Sequence, residues 1–248
     1  MWTRKGLKTY AKGVMKANYW RSVLVGFLLF FIVGVGSGSS SVTGAVGGQS
    51  LGLLSIDSVS PAGILLMMGI MVLLGLIISL AAVFVSIFLT NPLGMGCKRF
   101  FYCNLEQSAE VKELAWGFDH HYKNVVKTLF FRDLFTILWS LLFVIPGIIK
   151  SYEYKMIPYL LSEYPDMPRE DAFAISKYMM DGNKWKAFVL DLSFIPWLLL
   201  TSVTFGLAGI FYVNPYMAQT EAALYDALKM EKQPFSSQTD QEDDFLKG

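Results

Sequence analysis

Long apolar runs separated by short polar stretches dominate this chain, and the runs come in pairs. They cover positions 20–35, 62–89, 125–145, 148–164, 185–203 and 207–224. The forty positions 58–97 carry no charge at all, and roughly 20 apolar residues suffice to span a bilayer as a helix. Turn signals at Pro146-Gly147 and at Thr204-Phe205-Gly206 join the later runs into hairpins. The pattern predicts an all-α membrane protein of six transmembrane helices, arranged as three consecutive hairpins within one domain, 1–232.

A repeat underlies the pairing. Asn18-Tyr19-Trp20-Arg21 opens the first hairpin as Asn183-Lys184-Trp185-Lys186 opens the last, and Ile87 to Pro92 (IFLTNP) reads like Ile210 to Pro215 (IFYVNP). A weaker middle copy runs from Asn124 to Ile157-Pro158. Opening Asn and closing Pro are 32 and 34 residues apart in the last and middle copies but 74 apart in the first. The first copy therefore carries an insertion, read as an external Gly/Ser loop over 37–60.

Polar stretches precede each hairpin. In 1–17, Arg4, Lys8, Lys12 and Lys16 recur every four residues while Leu7, Tyr10, Ala11, Val14 and Met15 gather on other faces. This is the pattern of an amphipathic helix lying on a membrane surface. Each cation near anionic inner-leaflet lipid contributes about 1 kcal/mol. Stretches 105–123 and 166–182 are read as two further cytoplasmic interfacial helices. The returning arm 148–164 is unusually polar, with Lys150, Glu153 and Lys155. Counting it as a crossing keeps nearly every Lys and Arg on one side, with both termini cytoplasmic. Gly75, Ser79, Ala82 and Ser86 share a face of the second run and are read as a packing seam. The tail 233–248, with Asp240, Glu242, Asp243 and Asp244, is expected to be disordered.

Composition agrees: hydrophobic residues are 54% of the chain, charged residues 17%, and mean hydropathy is +0.44, outside the soluble range. Arg4 to Arg21 makes the N-terminus too long and too basic for a cleaved signal peptide, so the first run is read as a retained helix. Cys97 and Cys103 fall on the cytoplasmic side, where reduced thiols are the default. Gly34-Val35-Gly36-Ser37-Gly38 follows no strand and precedes no Lys-bearing helix, which argues against a phosphate loop. His120 and His121 are adjacent and lack further ligands at metal spacing. No nucleophile elbow, metalloprotease helix or paired-carboxylate pattern is present. The expectation is no catalytic residues, no metal, no cofactor and no nucleic-acid partner.

Ionisable residues inside the apolar runs are the better lead, because a membrane charge is costly and is usually paired or functional. They are Arg132, Asp133, Lys150, Glu153, Lys155, Asp191 and Glu221. Aligned on their opening Asn, the copies place Gly26, Arg132 and Asp191 at the same position, which predicts an Arg132–Asp191 pair between hairpins two and three. Asp133 is then left for another cation such as Lys155. Counting from the closing Pro equates Lys98 with Glu221, both nearer the interface and open to solvation. A substrate or proton path along the cluster is the alternative to an interlock.

Asn18-Tyr19-Trp20, Ile145 to Lys150 (IPGIIK), Asp181 to Trp185 (DGNKW), Leu190 to Ile195 (LDLSFI) and Asn214-Pro215-Tyr216 resemble the pattern of the domain-of-unknown-function 975 family of bacterial, mostly Gram-positive, integral membrane proteins. The plan is similar, more distantly, to the six-helix membrane domain of some glycerophosphodiester phosphodiesterases, without their catalytic barrel. The resemblance implies a multi-pass protein of the bacterial plasma membrane and no established activity. The expected role is a non-catalytic accessory or scaffold component of a membrane assembly, in envelope or peptide-export physiology, with a protein partner or a second copy of itself. The alternatives are a small transporter or channel with a polar path through spans 3 to 5, and an intramembrane enzyme.

Overall fold

The computed structural model describes residues 2–37 and 60–233, which hold helices and turns and no strand. The expected external loop and acidic tail fall almost wholly outside the described residues. The helices are α1 (Arg4–Ala17), α2 (Tyr19–Ser37), α3 (Pro61–Val85), α4 (Asn91–Glu106), α5 (Trp116–Asp119), α6 (Tyr122–Leu142), α7 (Val144–Glu153), α8 (Ile157–Glu163), α9 (Arg169–Met180), α10 (Lys184–Leu192), α11 (Ile195–Val203) and α12 (Asn214–Lys232). Among the described residues, two stretches are long and apolar enough to cross a membrane, Leu65–Glu106 and Lys184–Val203.

Each closing arm restarts at the proline of the repeat. Five-residue π-helical segments, Ser86–Thr90 and Gly209–Val213, precede Asn91-Pro92 and Asn214-Pro215. Proline lacks the N–H of the α ladder and crowds the carbonyl four residues back, and a widened turn relieves both problems. In the middle copy the chain turns at residues 154–156 instead, and Pro158 opens α8. The returning arm expected over 148–164 is therefore two helices, not one. The last opening arm is also split, at Ser193-Phe194, with Pro196 in the first turn of α11.

The middle turn lies three residues earlier than expected. Phe143 is extended, with φ −154° and ψ 138°, and breaks the chain between α6 and α7. Pro146 sits near the start of α7, where its missing N–H costs nothing. Gly147 serves the packing instead of the turn: a Cβ there would lie 2.3 Å from Ser140 Oγ and 2.6 Å from Ser140 Cα. The last turn falls where expected, through Phe205 and Gly206 at φ 50° and 89°. Stretch 105–123 is no continuous helix but the end of α4, a 3-10 turn (Val111–Ala115) and α5.

The buried core lies at one end of the hairpins. It joins Leu7, Ala11 and Met15 of α1 to Met95, Phe100 and Phe101 of α4, Tyr159 to Leu161 of α8, Met179 of α9 and Leu224 to Leu228 of α12. The far ends of the hairpins are apolar and exposed. Every residue from 65 to 85 is exposed, and a Cβ at Gly69 or Gly75 would meet nothing within 4 Å. The small-residue face of Gly75, Ser79 and Ala82 thus meets no helix among the described residues. Helix α1 is more than a surface anchor, because its apolar face closes the core against α12.

The three copies close on one another in a cycle. Opening helix α2 packs on the closing helix of the third copy: Tyr19 Oη donates to the Phe211 carbonyl at 3.0 Å, and a Cβ at Gly26 would meet Pro215 Cδ at 2.9 Å. Opening helix α6 packs on the closing arm of the first copy, and α10 on that of the second. Head-to-tail contacts that return to their start form a closed ring.

Candidate ionic ring between the hairpins

Each of the three junctions holds a polar link at one level of the ring. Between copies one and two, Asn91 Nδ2 donates to Asp133 Oδ2 at 2.7 Å, and Arg132 reaches Asp133 Oδ1 through Nη2 at 2.6 Å and Nε at 2.9 Å. Between copies two and three, the Lys155 ammonium and the Tyr152 hydroxyl donate to Asp191 Oδ2 at 2.7 and 2.8 Å. Between copies one and three, Lys98 Nζ donates to Glu221 Oε1 at 2.8 Å. Lys155 and Arg132 lie close enough to act electrostatically on both members of that last pair. Three cations therefore face three carboxylates. Beside the ring, Glu153 is clamped by Lys150 of its own helix and by Lys184 of the third copy.

A second polar layer lies in the core. The Glu163 carboxylate, from the middle copy, accepts from Tyr102 Oη at 2.9 Å, from Lys229 Nζ at 2.6 Å and from the Tyr225 hydroxyl. Tyr102 and Tyr225 each sit ten residues past their closing proline, so equivalent side chains of copies one and three meet on one acid of copy two. Burial alone would lower the Lys229 pKa, but the hydrogen bond and charge of Glu163, together with Tyr102, outweigh it and hold Lys229 above the ordinary lysine value. Burial, then the Glu163 charge, pushes the Tyr225 phenol up and keeps it neutral. Burial also raises Asp226, against the pull of Lys229.

Two of the three asparagines that open the repeat, Asn18 and Asn124, have a shared task. The Asn18 amide donates to Asn104 Oδ1 at 2.9 Å and to the Ala109 carbonyl at 3.2 Å, while that of Asn124 donates to the carbonyls of Pro165 and Met167 at 2.9 and 2.8 Å. Each ties down the loop that follows its own hairpin. Loop carbonyls buried against helices need such donors.

The sequence paired Arg132 with Asp191 and offered Lys155 to Asp133, and neither pair forms. Arg132 does not contact Asp191; its guanidinium folds back onto its neighbour Asp133, and Asp191 takes Lys155 and Tyr152. Equal depth on two hairpins placed the charges at one level, but the cyclic offset sets α10 against the arm that carries Lys155. Lys98 and Glu221, read as open to solvation, pair directly. Sequence reasoning missed Asn91, Tyr152 and Glu163. The repeat could have flagged Asn91 and Asn214, which match, but Asn214 Nδ2 has no partner among the described residues, since the first copy carries Phe27 where the second carries Asp133. His120 stacks on Trp116 with ring centroids 3.5 Å apart, and His121 adopts φ 47° before α6.

The family described as protein of unknown function DUF975 matches residues 63–232, more than half of the chain. The chain belongs to this family. The match runs from the start of α3 to the end of α12, so in this DUF975 member it takes in the closing arm of copy one and all of copies two and three. No curated protein and no solved structure matches the chain.

Proposed function

We propose that this DUF975 protein is a non-catalytic scaffold component of a bacterial plasma-membrane assembly, in envelope or peptide-export physiology, holding a protein partner or a second copy of itself. The observation that carries this reading is the ionic ring. Arg132, Asp133, Lys150, Glu153, Lys155, Asp191 and Glu221 each have a counter-charge within the bundle, and links at all three junctions join different hairpins. Charges satisfied in this way lock helices together and leave none free to hand a substrate or proton onward. Co-purification from native membranes in mild detergent tests it: a strictly monomeric particle with no companion protein overturns it.

The bilayer is the first partner. The exposed apolar surface over 65–85 has no counterpart on soluble domains, and the basic residues around the core support cytoplasmic termini. Six full crossings satisfy that charge distribution, and so do hairpins that dip into the bilayer and turn back. Length favours dipping for the second, and the exposed tips favour it for both the second and the third. Beyond Arg132, the ten residues to Leu142 reach only about 15 Å, half of a hydrocarbon core of about 30 Å. Their tips present Leu141 and Phe205, which are 83% and 98% exposed. Helix α3, at 25 residues, is long enough to cross. On this reading the ionic ring lies at the inner headgroup level. A Cys placed at Phe205 discriminates: labelling by an impermeant reagent from outside means six crossings, and protection from both sides means dipping hairpins.

A transporter is the second reading, favoured by the partial exposure of Asp133 and Asp191, 39% each. Uptake or proton flux abolished by Asp191→Asn would support it.

A further inference from the structure

The ionic ring leaves one strongly charged feature unused. Helix α1 carries five cations and no acid between Arg4 and Ala17. Four of them, Arg4, Lys5, Lys8 and Lys12, form one wall of an open groove of about 520 Å³, whose other wall is Ser193 and Tyr216. No carboxylate lines it, and among the described residues Arg4, Lys5 and Lys12 form no ion pair. Residues 4, 8 and 12 recur at one helical turn and so point the same way. Lys8 is fixed there, its ammonium donating to the Ser193 carbonyl at 3.1 Å and lying 3.9 Å from the centre of the Phe194 ring. That carbonyl sits where α10 ends and the chain restarts as α11. Burial, and after it the nearby Arg4 charge, lowers the Lys8 pKa.

We infer that the groove between α1 and the Ser193 break binds the phosphate of an anionic membrane lipid, with Arg4, Lys5, Lys8 and Lys12 as its charge contacts. A guanidinium fork and three ammonium groups match the oxygens of a phosphomonoester, and Thr9, also lining the groove, adds a hydroxyl. The aromatic rings of Trp197, Tyr212 and Tyr216, packed within 5.3 to 6.3 Å of one another, offer the amphipathic surface that suits the glycerol level of a bilayer. A defined site differs from the diffuse attraction of a basic helix, because it depends on which lysine is removed. The inference rests on the membrane reading above, but its test does not depend on how deeply any hairpin inserts.

Full-length protein in neutral detergent is titrated with short-chain phosphatidic acid, phosphatidylcholine and inorganic pyrophosphate, with bound ligand read by native mass spectrometry. Lys12→Gln and Lys16→Gln make the control pair. Both side chains are exposed, one turn apart on the same helix, and only Lys12 lines the groove. The expected result is retention of phosphatidic acid over phosphatidylcholine, weakened about fivefold by Lys12→Gln and less than about twofold by Lys16→Gln, at unchanged melting temperature. Equal losses from the two variants would mean a diffuse basic film and overturn the site. Binding of pyrophosphate with no preference among the lipids would overturn the lipid source.

Discussion

Asp191 accepts two donors from the neighbouring hairpin, so its removal strands an ammonium and a hydroxyl at once. Hydrogen bonds to a charged group are worth about 1.5–3 kcal/mol, and Asp191→Ala should lower the melting temperature of the detergent-solubilised protein accordingly. Lys155→Met should cost about the same, and the double variant no more than the worse single, because both delete one interaction. Arg132→Ala, whose partner is Asp133, should instead add to Asp191→Ala; non-additivity there would mean the two pairs act as one. At the second polar layer the prediction concerns pH. The Lys229 pKa is raised in the fold, so its contribution is complete below the unfolded lysine value of about 10.5 and is lost as pH rises through the higher folded value. Melting measured from about pH 9 to pH 12 should fall more steeply for the wild type than for Lys229→Met. Parallel curves would leave the alkaline loss to Tyr225 and the other phenols.

Helices were legible as elements because apolar length and turn residues are written locally. What the sequence hid was where the arms break. Pro146-Gly147 carries the composition of a turn, yet the turn forms at Phe143 and the glycine is spent on contact between arms: any Cβ at residue 147 would sit 2.6 Å from the Ser140 backbone. Gly147→Ala should therefore push α7 off α6 and destabilise the protein by about 1–3 kcal/mol, as overpacking does. Shrinking the partner with Ser140→Gly should not restore it, since the clash includes the Cα. Thermal melting of the single and double variants checks both statements. At the Asn-Pro steps, a π-helical widening ahead of a continuing helix leaves no signature beyond the proline itself. The pairing error at Arg132 has the same origin: a linear repeat gives depth, while the partner depends on which arm the ring sets alongside.

At the scale of the whole molecule the question is what makes three copies one body. Copies one and two, and two and three, are adjacent in sequence and meet at little entropic cost; the third junction joins residues some 190 positions apart, as Tyr19 to Phe211 and Lys8 to Ser193. Closing it depends on α1 and α2, whose buried Leu7, Ala11, Met15 and Val25 complete the core around α12. The family match begins at residue 63, beyond both helices, yet the fold uses them to shut the ring. The junction contacts described above join residues of the helices, of the π-helical segments and of the turns at Lys155 and Ser193, so a cut between α2 and α3 should leave closure intact. We expect residues 1–48 and 49–248, produced as separate chains in one cell, to co-purify as a complex that melts within a few degrees of the intact protein. The larger fragment alone should lose that transition, because α12 then exposes the face that α1 and α2 cover, and each buried large apolar side chain is worth about 1.5–3 kcal/mol. Tyr19→Phe in the small fragment, which removes the bond to the Phe211 carbonyl, should weaken the reassembled complex by about 1 kcal/mol. A larger fragment that melts like the whole protein would show that the ring is open at this junction and that the first two helices only anchor.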